Sequence, residues 1–229
     1  MTSYGQFCPM AKALEVLDER WTLLIVRELL LGSTRFNDLR RGNPRMSPAL
    51  LSKRLRTLEH AGVVHRDVVD GRARYTLTTA GQELAPVVAA LQVWGVRWVS
   101  TLGTVDLDPH LLLWDMKRSI HTSPWPPGRT VVALTFTDVD SRAAHWWICV
   151  SDGDIDVCDY DPGFDVTARL ALSLRTLAEI WRGDRSWSAA AGGALLEIDA
   201  PRSIQRAVPR WIGQSEAALV ARPDRSLIT

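Results

Sequence analysis

Apolar and polar positions separate most clearly between residues 47 and 62. The apolar ones follow the i, i+4, i+7 spacing of one helix face: Leu51, Leu55 and Leu58. Ser47 is expected to cap this helix with its hydroxyl, and Pro48 suits the first helical position, where a backbone N–H is not needed. Gly62 is expected to end it in the left-handed conformation. The pattern predicts a helix with one packing face and one exposed, basic face.

The flanking patterns predict a helix-turn-helix followed by a hairpin. Residues 35–41 form a short amphipathic segment, and the breaker-rich GNPRM joins it to the Ser47 helix. Residues 63–69 and 74–78 read as β-strands around Asp70-Gly71, which tolerates the positive φ angles of a tight turn. This order indicates a winged helix-turn-helix, and a small helical domain with an unrelated hairpin is the alternative.

Apolar residues continue on both sides of this region. One or two helices are predicted between Pro9 and Gly32, and a helix bent at Pro86 is predicted from a Thr79–Gln82 capping box to Leu102. Its apolar positions spread too widely to contact one small domain, which predicts a partner helix in a homodimer. Packing on the chain's own second domain is the alternative. The residues predicted at the dimer interface are Met10, Leu14, Val88, Leu91, Trp94 and Trp98.

The C-terminal half has a different pattern. The predicted strands are 130–137, 145–151, 155–160, 165–172 and 195–198. The predicted helices are 110–120, 176–182 and 201–211, the last one broken at Pro209. The fold class is therefore α+β: a winged helix-turn-helix domain over 1–102, a linker over 103–109, and an α+β domain with a mainly antiparallel sheet over 110–229.

Positive charge is concentrated on the predicted helix-turn-helix and wing. Residues 35–74 carry ten Lys and Arg against four acidic residues, whereas the whole chain has a net charge of +1. Such a patch suits a phosphate backbone, because each neutralised phosphate releases counterions. Double-stranded DNA is the predicted partner. The residues predicted to contact it are Arg35, Arg45, Ser47, Pro48, Ala49, Ser52, Lys53, Arg56, Arg72 and Arg74.

Enzyme and metal chemistry find little support. The five histidines lack ligand spacing, and neither a phosphate-binding glycine loop nor a nucleophile elbow occurs. We therefore predict no catalytic residue, no metal and no cofactor. The three cysteines, Cys8, Cys149 and Cys158, indicate neither a disulfide framework nor a CxxC site. Without an apolar N-terminal run long enough for a signal or membrane segment, a cytoplasmic, non-membrane protein is predicted.

A set of spaced positions in residues 5–102 matches one known pattern. They are Cys8-Pro9, Trp21, Arg35-Phe36, Leu39, Arg40, Ser47, Leu51, Arg54-Leu55, Leu58, Gly62, Tyr75, Leu77-Thr78, Gly81 and Trp94. These positions resemble the HxlR branch of the MarR-like winged-helix transcription regulators. The resemblance implies a homodimer on a palindromic operator, with the Ser47 helix in the major groove. The chain departs from the family at Asp18-Glu19-Arg20, where Gly-Gly-Lys is usual, and in its shorter wing tip.

Cys8 has two interpretations. In some members of the family that this chain resembles, the matching cysteine senses oxidants or electrophiles, which needs an accessible thiolate. Cys8 directly precedes a Pro-initiated helix, whose N-terminus favours a thiolate. The alternative is a small apolar residue packed at the dimer interface.

The segment TLAEIWRGDRSWSAAAGGALLEIDAP follows strands separated by Asp-Gly and Asp-Pro-Gly turns. This pattern resembles the sterol-carrier-protein-like fold over about residues 110–220, and it implies an apolar small-molecule site. The residues predicted to line that site are Trp114, Phe136, Trp146, Ile148 and Trp181, with ordinary core packing as the alternative. The chain is predicted to be a DNA-binding transcription regulator modulated by an apolar effector. The alternative is a hydrophobic-ligand carrier whose winged helix mediates protein contacts.

Overall fold

The computed structural model describes residues 3–99 and 102–224, and the chain divides into two compact units. The first extends to Gln92 and the second begins at Val93, so the division falls inside a helix and not in the predicted linker at 103–109. Each unit has its own hydrophobic core.

The first unit contains four helices, a two-stranded hairpin and two further helices. They are α1 (Pro9–Leu17), α2 (Thr22–Leu30), α3 (Phe36–Arg41), α4 (Pro48–His60), β1 (Val64–Val69), β2 (Arg72–Leu77), α5 (Thr79–Gln82) and α6 (Ala85–Trp98), which crosses the boundary between the units. The core is built mainly from α2 and α4, and α3, β1 and α6 each add one buried residue. The helix-turn-helix and wing order predicted from the sequence is therefore confirmed.

Local signals set the bounds of α4 and of the hairpin. The Ser47 hydroxyl accepts the Leu50 N–H at 3.3 Å, and Gly62 follows the helix with a φ of +71°. Asp70 and Gly71 have φ angles of +53° and +72°, which produce a two-residue turn between β1 and β2. The predicted bounds of the helix and the predicted turn are confirmed. They could be predicted because a cap or a tight turn depends on residues only a few positions apart.

The predicted single helix from Thr79 to Leu102 is wrong. Thr78 is the cap, since its side chain accepts the Gly81 N–H at 3.2 Å, and α5 ends after one turn at Gln82. A second helix, α6, then begins at Ala85 and ends at Trp98. Pro86 lies in its first turn, where the missing N–H costs no hydrogen bond, so the proline starts a helix instead of bending one.

The second unit combines a five-stranded sheet with helices. Its elements are α7 (Pro109–Ser119), β3 (Arg129–Phe136), β4 (His145–Ser151), β5 (Asp154–Cys158), β6 (Ala168–Leu172), α8 (Leu174–Arg182), α9 (Trp187–Gly192), β7 (Leu196–Asp199) and α10 (Arg202–Ile212). The strand order is β5-β4-β3-β6-β7, and only the β3–β6 pair of this sheet is parallel. The predicted α+β class with a mainly antiparallel sheet is confirmed.

Two local expectations for the second unit need correction. The segment predicted as a linker includes a 3-10 turn, and Leu107 in it packs against the core. The predicted break at Pro209 is absent, because α10 continues to Ile212. Trp211 and Ile212 are both buried, and burying their apolar side chains offsets the hydrogen bond that proline removes.

Candidate nucleic-acid interface

The exposed face of α4 carries most of the predicted base contacts. Ala49, Lys53 and Arg56 are exposed, Ser52 is half-buried, and their spacings of three and four residues place them on one side of the helix. The opposite side is formed by fully buried leucines of the core. Ser47 and Pro48 are exposed at the N-terminal end, so the helix presents an open, basic surface.

Buried polar groups hold the connector between α3 and α4 in place. The Glu28 carboxylate is fully buried and accepts a hydrogen bond from Arg27 Nη2 at 2.8 Å. It packs so closely on Gly42 that a Cβ there would lie 1.9 Å from it. Asn43 donates from Nδ2 to the Leu39 carbonyl at 2.9 Å. These contacts fix the turn that carries the exposed Arg45.

The wing is joined to the segment that precedes α3. Arg35 and Arg74 form an antiparallel backbone bridge, and the Tyr75 N–H donates to the Thr34 carbonyl at 2.9 Å. The Arg35 guanidinium also reaches the Arg72 carbonyl at 3.5 Å. The structure therefore brings Arg35 next to Arg72 and Arg74, which lie almost forty residues further along the chain. No signal in the sequence alone indicated this pairing.

Arg54 does not belong to the exposed basic surface. Only 9% of its side chain is exposed, and its guanidinium donates to the Glu19 carboxylate and, at 3.2 Å, to the Arg20 carbonyl. Glu19 lies in the segment that departs from the usual Gly-Gly-Lys. At this position, where the chain departs from the family pattern, the Glu19 carboxylate therefore pairs with an arginine of α4. Arg54 is one of the ten basic residues counted between positions 35 and 74, and no pattern in the sequence indicated this structural role.

Four of the six residues predicted for dimerisation are exposed. Met10, Leu91, Trp94 and Trp98 are 67%, 49%, 57% and 38% exposed, and Leu14 is half-buried. Val88 is only 7% exposed and packs in the core of the first unit. Because α6 turns Val88 toward that core, its assignment to a partner interface is corrected. Cys8 is exposed immediately before α1.

Four of the five residues predicted to line an apolar pocket lie in the core of the second unit: Phe136, Trp146, Ile148 and Trp181. Trp146 donates from Nε1 to the Ala143 carbonyl and Trp181 to Asp115 Oδ2, each at 2.8 Å. The fifth, Trp114, is half-buried beneath the Arg118 guanidinium. The structure shows core packing for the first four residues, and the binding of a ligand beside them stays a prediction.

Within residues 3–99 and 102–224, no three His, Cys, Asp or Glu side chains are grouped as metal ligands. No helix in these ranges has the length and apolar character needed to span a bilayer.

A basic helix-turn-helix with an attached wing defines a DNA-binding protein of the winged-helix class. The family described as HxlR-like helix-turn-helix matches residues 16–102. YvaP of Bacillus subtilis, named an uncharacterized HTH-type transcriptional regulator, is 41% identical over 42% of this chain and 92% of its own length. The similarly named sll1512 of Synechocystis is 37% identical over 42% of this chain and 73% of its own.

Among solved structures, the reduced form of the transcriptional regulator YodB from B. subtilis is similar to this chain. The two chains are 31% identical, and the match covers 42% of this chain and 97% of the YodB chain, with a TM-score of 0.37. The sequence relatives decide the assignment: this chain belongs to the HxlR-like helix-turn-helix family. It is a DNA-binding transcription regulator.

Proposed function

We propose that the protein is a cytoplasmic, homodimeric regulator that recognises a palindromic operator, and that its second unit responds to an apolar small molecule. The observation that carries the DNA-binding part is the exposed face of α4, whose apolar side is fixed in the core. A helix that cannot rotate presents the same side chains to every duplex. Such a surface suits sequence-specific contacts.

In the proposed complex, the N-terminal half of α4 lies in the major groove. Ser47, Ala49 and Ser52 lie nearest to the base edges, with Lys53 and Arg56 beside them. Arg56 is exposed and can pair through two hydrogen bonds with guanine, which discriminates against a wrong base by about 1–3 kcal/mol.

The experiment for base recognition compares Arg56→Ala with Arg206→Ala in competition between operator and unrelated duplex. Arg206 is an exposed arginine on α10, so both variants lose one positive charge. We expect Arg56→Ala alone to reduce operator preference about 5- to 150-fold, the equivalent of about 1–3 kcal/mol. Unchanged preference in Arg56→Ala would refute the docking.

Arg35, Arg72 and Arg74 are proposed to hold the phosphate backbone beside the wing. Phosphate contacts carry no base information, so Arg72→Ala should weaken all duplexes by a similar factor. It should also lower the slope of log affinity against log salt by about one. Unaltered affinity at both low and high salt would contradict this role.

The proposed homodimer rests on the exposed apolar side chains of α6. Leu91 and Trp94 are about half exposed, which costs free energy unless another surface covers them. Sedimentation velocity should find a dimer, and Trp94→Glu should shift it toward monomer. Gln92→Glu adds the same charge at a polar position of the helix and is the matched control. A monomeric protein without substitutions would refute the proposal.

The proposed effector rests on the resemblance of residues 110–220 to the sterol-carrier fold. A ligand changes DNA affinity only through different affinities for two conformations, and such coupling is typically about 1–3 kcal/mol. Apolar probes titrated into the intact protein should therefore change operator affinity several-fold. A probe that changes tryptophan fluorescence and leaves operator affinity unaltered would reduce the second unit to a carrier or a structural element.

A further inference from the structure

Two cysteines of the second unit share one face of the β4–β5 hairpin. Cys149 on β4 is opposite Asp156 on β5, and Cys158 is opposite Trp147, so the two cysteines are diagonal neighbours. Both line a cavity of about 390 Å³, which Tyr160 and other residues of the segment after β5 help to enclose. Sequence spacing alone did not group these thiols.

The two thiols are near enough to interact electrostatically, and Cys158 Sγ lies 3.8 Å from Asp156 Oδ2. Asp156 is already engaged by Lys117, whose Nζ lies 2.7 Å from Oδ1. Cys149 is half-buried and reaches the cavity, whereas Cys158 is only 7% exposed. The cavity is therefore lined by two neighbouring thiols, of which Cys149 is the more accessible.

A direct disulfide fits this arrangement poorly. Diagonal pairs across antiparallel strands have Cα atoms about 7–8 Å apart, whereas a disulfide usually needs about 4.4–6.8 Å. Burial also raises the pKa of the Cys149 thiol to about 11, and that of Cys158 is raised for the same main reason. A protonated thiol is a slow nucleophile toward oxidants.

A metal ion placed between the sulfurs would fit the longer separation. Two metal–sulfur bonds of about 2.3 Å span about 4.6 Å, so the strands would not need to approach. Zinc is a poor candidate, because it takes four ligands and the described residues offer no group of three His, Cys, Asp or Glu. Because Lys117 already holds the Asp156 carboxylate, the two thiolates remain as ligands. Thiolate ligands select soft cations, of which Cu(I) is the biological example.

We propose that Cys149 and Cys158 form a binding site for a soft cation of the Cu(I) class, bridged between their two sulfur atoms. Each thiol loses its proton and forms one metal–sulfur bond, so two protons leave and the bound group has a charge of −1. The oxidation state of the metal does not change. Arg129 lines the same cavity, and its guanidinium favours the negative form of Cys149.

The test is an anaerobic titration of the intact protein with Cu(I) in the presence of a competing chelator. Native mass spectrometry should show one ion per chain in the unsubstituted protein and in Cys8→Ser, which removes the exposed thiol of the other unit. Cys149→Ser and Cys158→Ser should each weaken binding at least about 100-fold, since one thiolate cannot hold the ion alone. Binding that survives either of these substitutions, or that needs Cys8, would overturn the proposal.

A second measurement does not depend on how the variants fold. X-ray absorption of the Cu(I)-loaded protein should show two sulfur neighbours and no nitrogen or oxygen neighbour. A parallel sample of the Cys8→Ser protein, treated with oxidised glutathione, should keep its mass. A loss of two mass units located at Cys149 and Cys158 would show that a disulfide forms readily and would overturn the geometric argument. One equivalent of Zn(II) bound by the same thiols would overturn the choice of metal.

Discussion

The Arg54 contacts predict that this residue stabilises α4 and does not read DNA. In Arg54→Ala, a hydrogen bond to the Glu19 carboxylate and one to the Arg20 carbonyl are lost. Hydrogen bonds to charged groups contribute about 1.5–3 kcal/mol and neutral ones about 0.5–1.5 kcal/mol. Because the Glu19 side chain is 51% exposed, the lower end applies, and we expect a loss of about 2 kcal/mol in total.

Hydrogen exchange read by mass spectrometry resolves this effect, because α4 peptides report the first unit separately. A loss of about 2 kcal/mol should speed exchange of the slowest α4 amides about 30-fold. Glu19→Ala should have a smaller effect, since Arg54 keeps the Arg20 carbonyl. Arg56→Ala is the matched control on the same helix and should leave exchange unaltered. Less than threefold faster exchange in Arg54→Ala would refute the reasoning.

Three further predictions concern other contacts. Gly42→Ala should destabilise the first unit by about 1–3 kcal/mol in thermal unfolding, since its Cβ would lie 1.9 Å from the buried Glu28 carboxylate; Glu28→Ala in the same chain should relieve the clash. Ser47→Ala should cost about 1 kcal/mol in α4 amide exchange, and Ser47→Asp should retain the cap. Iodoacetamide at pH 8 should label exposed Cys8 about tenfold or more faster than Cys149, and the Cys149 rate should still be rising at pH 10, because its pKa is about 11. Equal labelling rates would contradict the burial of Cys149.

Elements defined by neighbouring residues could be predicted from the sequence. The helix α4 follows from a serine cap, a first-turn proline, a leucine stripe and Gly62 after its end, all within sixteen residues. The β1–β2 hairpin follows from Asp70-Gly71 in the same way. In each case, the preference of the local chain agrees with the fold, so the sequence pattern is sufficient.

Elements decided by distant contacts could not be predicted. Pro86 and Pro209 are both prolines in apolar helical patterns, yet one starts α6 and the other lies inside α10. The parallel pairing of β3 with β6 joins strands more than thirty residues apart. Arg54 and Arg56 are both basic residues of α4, and only burial against Glu19 separates the structural one from the exposed one.

The boundary inside α6 has a consequence for how the protein is made. The last core residue of the first unit is Val88, so this core is complete before the ribosome has made most of the second unit. N-terminal domains generally fold first, and synthesis proceeds at about 5–20 residues per second. The nascent chain therefore carries a folded basic unit, with the apolar Leu91 and Trp94 near its end, for about ten seconds. If α6 joins two copies as proposed, neighbouring ribosomes on one messenger can deliver the pair before either chain is finished.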